Sequence, residues 1–345
     1  MRAASTDASA PLATMLLMAC NQQATVGAAI AGALAQTYQP LEIVVSDDAS
    51  TDDTWRAIES AVAGYRGPHR LVLNRNPVNL GIGAHLNRMV GLSHGELLFV
   101  AAGDDISLPQ RCARVVGAWL AADRRPDLIA SQLIDLDDHG RAHGAIVPTD
   151  LSTYRDAADW LARPPHVVGA AQAWTRRVFD RFGPLPAGTV AEDLLMVFRA
   201  IVGGGAVTLP EPLVQYRRGG LSRRRRNLRP RDVVERVLTN NRHALVELPQ
   251  LLADAQRAGQ LHAIDRGVSR QWEREVFVRD LFGAGTWAER WRAWVAASGV
   301  PVRLRLRLLL YAVCPAALGP FFTLKRLWLD RRSRSRRGRL RSGGG

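Results

Sequence analysis

The chain has 345 residues, of which 47% are hydrophobic, and a formal net charge of +14. This apolar content excludes an intrinsically disordered chain and suffices for one large core, or for a core with a small second domain. The three cysteines are far apart in sequence and form neither a metal-binding spacing nor a disulfide framework, which favours a reducing compartment. Because the first residues contain no long apolar run, we expect no signal peptide.

The charge is unevenly distributed along the chain. Residues 1–216 carry a net charge of −5, whereas residues 217–345 carry +19. We therefore expect a slightly acidic body and a strongly basic end that meet different partners.

Short apolar strands alternate with helical patterns over the first 120 residues. The predicted strands are 15–19, 41–46, 71–73 and 97–101, and the predicted helices are 25–38, 52–63, 84–92 and 108–120. Continuous apolar strands that alternate with helices predict an α/β fold, in which helices flank a mostly parallel sheet.

The pattern loosens after residue 126. Further strands are predicted at 128–136, 167–174 and 206–209, with a turn at 137–140 and a helix at 190–201. We expect a disordered N-terminus at 1–13, an α/β domain at 14–220, a helical basic C-terminal region at 221–300, an amphipathic or hydrophobic segment at 301–330 and a disordered basic tail at 331–345.

Three acidic pairs follow predicted strands or open a predicted helix. They are Asp47-Asp48, Asp104-Asp105 and Glu192-Asp193. Ligands of open parallel sheets bind at the carboxyl ends of the strands, which favours a ligand role for the first pair. The third pair could equally be first-turn acids of a helix. Asp52 and Asp53 are interpreted as helix-start residues, because Ser50 and Asp53 have the spacing of a capping box.

Asp104 and Asp105 give the strongest signal among these pairs. Adjacent carboxylates at a strand end repel each other unless a cation holds them, and Mg²⁺ or Mn²⁺ is commonly held by one or two carboxylates together with substrate phosphates. The sequence therefore predicts a divalent-metal site that suits a diphosphate. A solvated turn is the alternative interpretation.

From residue 14 to about residue 222, the sequence resembles the family-2 glycosyltransferases, which are inverting enzymes with the GT-A fold. The matching strings are MLLMACNQ, QTYQPLEIVVSDDASTDDT, NPVNLGIGAHLNRMV, GELLFVAAGDDISLP, and AEDLLMVFRA followed by YRRGGLS. The resemblance implies a GT-A domain at 14–220 that transfers a sugar from a nucleotide-diphosphate sugar to a hydroxyl of a glycan or lipid-linked acceptor. It also implies a role in the synthesis of bacterial surface polysaccharide or lipopolysaccharide.

The resemblance assigns roles to residues of these strings. It implies that Asp193 is the catalytic base and that Asp105 is the metal ligand. Arg217 or Arg218 is predicted to neutralise the diphosphate in place of the histidine that this segment often carries in the family. The residues implied to bind the donor nucleotide are Ala19, Cys20, Asn21, Asp47, Asp48 and Asp104. Two features depart from the family pattern: Ala102 stands where the fuller motif has an acid, and YRRGGLS lacks a histidine.

The basic end favours a membrane surface as a further partner. Arginines at 303, 305 and 307 precede the uncharged stretch 308–324, which Pro315, Gly319 and Pro320 interrupt. A segment lying in the interface of an anionic membrane fits this pattern, and a helix docked on the body is the alternative. We therefore expect a cytoplasmic protein, peripheral at the inner face of the cell membrane. The tail lacks interleaved aromatic residues, so we expect no nucleic-acid partner.

Two other functions can be compared with glycosyl transfer. A catalytically silent subunit that binds a sugar nucleotide and docks a partner at the membrane would need no base, so the intact Glu192-Asp193 pair favours the enzyme. A nucleotidyltransferase would need a loop rich in glycine and lysine after the first strand, and CNQQATVG is not such a loop.

Overall fold

The computed structural model describes residues 10–137, 139–217 and 230–314. These residues form two compact units. The first unit contains residues 10–137, 139–217 and 249–266. The second unit contains residues 230–248 and 267–314. The predicted domain boundary at 220 stays a prediction, since it lies outside the described residues.

Within the described residues, nine strands form one sheet in the first unit. They are β1 (Ala13–Ala19), β2 (Leu41–Asp47), β3 (Arg70–Arg75), β4 (Leu97–Ala102), β5 (Ile106–Ser107), β6 (Leu128–Leu136), β7 (Ala142–Ile146), β8 (Gln172–Thr175) and β9 (Ala206–Arg217). The order is β3-β2-β1-β4-β8-β6-β9-β5, and β7 pairs with β6. Strands β3, β2, β1 and β4 are parallel to one another, whereas β8 is antiparallel to both of its neighbours.

Seven helices of the described chain lie within residues 10–217, and four follow. They are α1 (Val26–Leu34), α2 (Thr54–Val62), α3 (Ile82–Leu92), α4 (Arg111–Ala121), α5 (Ala157–Ala162), α6 (Arg176–Phe182), α7 (Glu192–Val202), α8 (Pro230–Arg257), α9 (Leu261–Gly283), α10 (Trp287–Ala296) and α11 (Val302–Val313). The predicted α/β fold with flanking helices is therefore confirmed, but the sheet is mixed, because β5, β7 and β8 pair antiparallel with their neighbours.

The core of the first unit lies on the central strands. All seven residues of β2 are buried, as are six of the seven in β1. Met15 and Ile43 of these strands pack in one apolar cluster with Ile30 of α1, Phe99 of β4 and Trp119 of α4. Strands that are buried on both faces read as continuous apolar runs, which is why the sequence identified them without alternation.

The structure corrects two predicted strands. The segment predicted as a strand at 167–174 forms a short helical turn at 169–171, and only Gln172–Thr175 is extended. The strand predicted at 206–209 is too short, because β9 continues to Arg217. Its pairing with β6 shifts register beside Pro212, since proline has no N–H to give to the ladder.

The predicted capping box at Ser50 and Asp53 is wrong. Helix α2 begins at Thr54, and the Asp53 side chain makes no capping hydrogen bond. The Ser50 hydroxyl bonds the Asp47 carboxylate instead. The Asp52 carboxylate accepts a hydrogen bond from the Thr54 N–H at 3.0 Å.

The second unit has its own apolar cluster. Phe277, Val278 and Leu281 of α9 pack in this cluster with Ala293 of α10 and Leu308 of α11. Within the described residues, no helix is long and apolar enough to cross a membrane.

Candidate active site

The carboxyl ends of β1, β2 and β4 bring two of the predicted acidic pairs to one edge of the sheet. The strands are parallel neighbours, and the residues after them are joined by backbone hydrogen bonds. The Asp48 N–H donates to the Ala19 carbonyl at 2.9 Å, and the Gly103 N–H donates to the Met18 carbonyl at 2.8 Å. This edge is where open α/β sheets bind their ligands.

Asp47 is the last residue of β2, and its side chain is fully buried. Its carboxylate accepts hydrogen bonds from the backbone N–H and the hydroxyl of Ser50. The Arg75 Nε lies 3.2 Å from the same carboxylate. The charge of Asp47 is thus balanced by an arginine at the end of β3, and the pair holds the β2–α2 loop against that strand.

The Asp48 side chain forms hydrogen bonds with the loop between β3 and α3. Its carboxylate accepts hydrogen bonds from the Leu80 N–H at 2.9 Å, the Gly81 N–H at 3.0 Å and the Asn76 side-chain amide at 2.8 Å. Gly81 has a φ of 75°, a conformation that glycine adopts without strain. Asp48 therefore shapes the GIG segment, and its predicted contact with the donor nucleotide stays a prediction.

The predicted nucleotide-binding residues after β1 tie two loops together. Asn21 has a φ of 52°; its N–H donates to the Ser50 hydroxyl at 2.8 Å, and its side-chain carbonyl accepts from the Thr51 N–H at 2.8 Å. Cys20 is exposed as a residue. Incomplete solvation of its thiol, together with the charge of Asp48, raises the pKa of that thiol. Ala19 is buried.

A surface cavity of about 410 Å³ adjoins this loop pair at the ends of β2 and β3. Its lining residues are Ala49, Ser50, Arg75, Asn76 and Pro77. Arg75 also lies 5.7 Å from the centre of the Trp55 ring, a cation–π distance. The cavity therefore has one cationic wall, next to residues that the family resemblance assigns to the donor nucleotide.

Asp104 and Asp105 follow β4 in a turn. Asp105 is only 5% exposed, and burial together with the neighbouring charge of Asp104 raises the pKa of Asp105 to about 8. Burial also raises the pKa of Asp104. The two adjacent carboxyl groups do not readily ionise at the same time. They fit a site in which a divalent cation supplies the positive charge that stabilises both carboxylates.

The cation would need ligands beyond these two side chains. Within the described residues, no group of three or more histidine, cysteine, aspartate or glutamate side chains is arranged to hold a metal. Oxygen atoms of a bound diphosphate and of water complete such sites when a protein offers one or two carboxylates. The residues present fit that kind of site.

Arg217 lies beside the acidic pair at the end of β9. Its backbone N–H donates to the Asp105 carboxylate at 2.8 Å, and its Nε lies 3.4 Å from the Asp104 carbonyl oxygen. The guanidinium is therefore close enough to interact with an anion held at this turn. Arg218, the other predicted diphosphate-binding residue, lies outside the described residues.

Asp193 lies in the first turn of α7 and is half-buried. Its Oδ1 accepts a hydrogen bond from the Leu194 N–H at 2.8 Å. Its backbone carbonyl accepts one from the Gln172 side-chain amide at 3.4 Å. The amino end of a helix stabilises the negative charge of a carboxylate in its first turn.

Arg111 connects the acidic turn to the strand that contacts α7. Its side chain is fully buried and donates to the carbonyls of Val100 in β4 at 2.9 Å and Gln172 in β8 at 3.2 Å, and to the Ser107 hydroxyl at 2.9 Å. Its charge also acts on Asp105. Arg111 therefore acts electrostatically on Asp105 and contacts Gln172, whose side-chain amide donates to the Asp193 backbone carbonyl.

Sequence reasoning missed Arg75, Arg111 and Gln172. Only Arg111 had a usable signal, because it stands two residues after Pro109 on the buried face of an amphipathic helix. An arginine on such a face must find buried acceptors, which the strand carbonyls supply. Arg75 and Gln172 are defined by contacts across the sheet, which the local sequence does not encode.

The family model described as glycosyl transferase family 2 matches residues 14–163. The chain is 29% identical over 141 residues to EpsE of Bacillus subtilis (strain 168), covering 41% of this chain and 50% of EpsE. It is 35% identical over 134 residues to the succinoglycan biosynthesis protein ExoU of Rhizobium meliloti (strain 1021), covering 38% of this chain and 36% of ExoU. The chain thus spans half or less of the length of these two relatives.

Two solved structures share the fold. The structure of S. aureus TarS residues 1–349 with UDP-GlcNAc has a TM-score of 0.51 and 16% identity, covering 87% of this chain and 86% of that one. The mannosyltransferase PcManGT from Pyrobaculum calidifontis, with GDP-Man and Mn²⁺, has a TM-score of 0.52 and 19% identity, covering 90% and 88%. Residues 14–163 therefore resemble glycosyl transferase family 2, and the chain shares the GT-A fold of these two structures.

Proposed function

We propose that the chain is an inverting glycosyltransferase, which moves a sugar from a nucleotide-diphosphate sugar to an acceptor hydroxyl. The observation that carries this proposal is the set of polar contacts around Arg111, whose charge acts on Asp105 and whose guanidinium donates to the Gln172 carbonyl, while the Gln172 side-chain amide donates to the Asp193 backbone carbonyl. In the proposed reaction, Asp105 acts beside the diphosphate and Asp193 acts beside the acceptor.

Asp193 is the proposed general base. The acceptor hydroxyl loses its proton as its oxygen attacks the anomeric carbon, and a positioned carboxylate takes that proton. The hydrogen bond from the Leu194 N–H to Oδ1 fixes the carboxylate at the start of α7. The Gln172 amide holds the backbone of the same residue. These contacts orient the base before the acceptor arrives, which reduces the entropy lost on reaching the reactive geometry.

Asp105, with Asp104, would hold a divalent cation, Mn²⁺ or Mg²⁺. A cation bound there would act as a Lewis acid that neutralises the negative charge of the departing nucleoside diphosphate. Arg217, whose Nε lies 3.4 Å from the Asp104 carbonyl oxygen, is the proposed further positive charge for the diphosphate. The proposed nucleotide-binding residues are those after β1 and β2, beside the cavity that Arg75 lines.

The proposed pathway is the synthesis of a surface polysaccharide or lipopolysaccharide on a glycan or lipid-linked acceptor. The names of two similar proteins support it: ExoU is named for succinoglycan biosynthesis, and WfaP of Escherichia coli, 30% identical over 94 residues, is named a glucosyltransferase acting on a diphosphoundecaprenol acceptor. We also propose that the protein acts in the cytoplasm at the inner face of the cell membrane, which the net charge of +19 over residues 217–345 supports.

A panel of nucleotide sugars tests the transfer chemistry. Thermal unfolding is followed with each UDP- and GDP-sugar, with and without Mn²⁺ or Mg²⁺, and release of the nucleotide diphosphate is then assayed with the donor that stabilises the protein. We expect one nucleotide class to raise the melting temperature in the presence of the cation and to be hydrolysed slowly without acceptor. Stabilisation by a sugar nucleotide without any turnover would contradict the proposal and favour a silent binding subunit.

A further inference from the structure

Exposed apolar side chains form a stripe on each of the last two described helices. On α10 they are Trp287, Trp291 and Val295, which are 63%, 67% and 58% exposed. On α11 they are Val302, Leu306, Leu310 and Val313, with exposed fractions between 43% and 55%. Residues three or four apart lie on the same face of a helix, so each set is one continuous stripe rather than scattered residues.

These stripes are distinct from the apolar cluster of the second unit. That cluster uses Ala293 of α10 and Leu308 of α11, which are less than 9% exposed. Each helix thus has two apolar faces, one packed in the cluster and one facing outward. An ordinary surface helix has a single apolar face, and a second one that is exposed marks an interaction site.

The charges beside the stripes indicate the partner. The exposed arginines Arg292, Arg303 and Arg307 lie next to the stripes in the sequence of their helices. Residues 302–313 contain no acid, and the one acid of α10, Glu289, is engaged in the capping box with Thr286. Tryptophan and arginine beside an exposed aliphatic stripe are typical of helices that lie in the interface of an anionic bilayer.

We propose that the outer faces of α10 and α11 bind the surface of an anionic membrane, with the stripes entering the headgroup region and the arginines contacting lipid phosphate. The inference rests on the proposed location at the membrane and adds the surface responsible for it. It moves the contact toward the N-terminus, from the uncharged stretch 308–324 to residues 287–313. The chain would bind the membrane from one side.

Vesicle sedimentation with the full-length protein tests this surface. The vesicles are phosphatidylcholine alone, or phosphatidylcholine mixed with phosphatidylglycerol. The wild type should bind the mixed vesicles and bind phosphatidylcholine far more weakly. The double variant W291S/L306S should lose about tenfold or more in partitioning. The double variant R303Q/R307Q should lose roughly 30-fold, because each arginine near an anionic surface contributes about fivefold.

Matched variants on the first unit serve as controls. Val147 is 61% exposed, so V147S removes a comparable apolar side chain. The side chains of Arg56 and Arg125 are 81% and 77% exposed, so R56Q/R125Q removes the same charge. Both controls should bind vesicles as the wild type does.

Three results would overturn the inference. The first is a wild type that does not bind the anionic vesicles. The second is a W291S/L306S variant that binds them as tightly as the wild type does. The third is a wild-type dimer in light scattering that W291S/L306S converts to a monomer, because the stripes would then join two copies of the chain. Release of nucleotide diphosphate, measured on the same samples without vesicles, reports separately on the transfer chemistry.

Discussion

At the scale of single residues, the carboxylate of Asp193 has the most specific task in the proposed reaction. We expect Asp193→Asn to lower transfer about 10²–10⁴-fold, since the amide cannot accept the acceptor proton, while the affinity for the donor stays unchanged. Steady-state kinetics and donor titration measure the two quantities. Asp180→Asn, which changes an exposed aspartate of α6, is the matched control. Wild-type turnover in the Asp193 variant would exclude it as the base.

Asp105 is proposed to act through a cation, and its variant should behave differently. We expect Asp105→Asn to keep the stability of the wild type, because burial already disfavours the ionised carboxyl. The same variant should lose the additional rise in melting temperature that Mn²⁺ gives in the presence of UDP or GDP. Asp53→Asn, at a side chain that is 70% exposed, is the control. A variant that still responds fully to Mn²⁺ would show that the ion is held elsewhere.

The acidic residues could be found from the sequence because they directly follow apolar strands. What each carboxylate contacts could not be found in this way. Asp48 accepts three hydrogen bonds from the loop before α3, and Asp47 pairs with Arg75 across two strands. A carboxylate after a strand can hold a loop or a ligand, and only the long-range contacts distinguish the two roles.

At the scale of elements, the start of β4 depends on a close approach of two backbones. A Cβ on Gly95 would lie 2.6 Å from both the N and the Oγ1 of Thr14 in β1. Because a backbone atom cannot move aside cheaply, we expect Gly95→Ala to lower the free energy of unfolding by about 1–3 kcal/mol in urea denaturation. The control is Gly91→Ala in α3, where a Cβ meets nothing within 4 Å and should raise stability by up to about 1 kcal/mol. Equal stability of the two variants would refute the argument.

Helix α7 is joined to residues 249–266 by a buried ion pair. The Arg199 Nε lies 2.7 Å from the Asp254 carboxylate, and both side chains are fully buried. We expect Arg199→Met to cost about 3 kcal/mol of unfolding free energy, because the buried Asp254 carboxylate is then left with the half-exposed Arg257 guanidinium at 3.5 Å and the Gln250 amide as partners, and R199M/D254L to cost less than that single change.

The ion pair between the exposed Arg155 and the partly buried Asp159 provides the control for this prediction. The Arg155 side chain is 86% exposed, so Arg155→Met should change stability by less than about 1 kcal/mol. Chemical denaturation of the three variants makes the comparison. A double variant less stable than Arg199→Met would contradict the account of the buried pair.

At the scale of the whole molecule, the parallel half of the sheet could be predicted and the rest only in part. Strands β1, β2 and β4 are buried on both faces, so their apolar runs identify them. Strand β9 contains Pro210 and Pro212. These prolines interrupt its apolar sequence pattern, so the predicted strand ended too early. The grouping of 249–266 with the sheet could not be predicted, because it depends on contacts such as that of Arg199 with Asp254, which are 55 residues apart.

In the proposed enzyme, acids that are distant in sequence form one donor site. A crystal structure of the full-length chain with the nucleotide diphosphate that stabilises it and Mn²⁺ tests this most directly. We expect the ion on the Asp105 carboxylate, the nucleotide beside the ends of β1 and β2, and the Asp193 carboxylate facing the position of the donor sugar. A nucleotide bound elsewhere, or an Asp193 carboxylate turned away from the diphosphate, would contradict it.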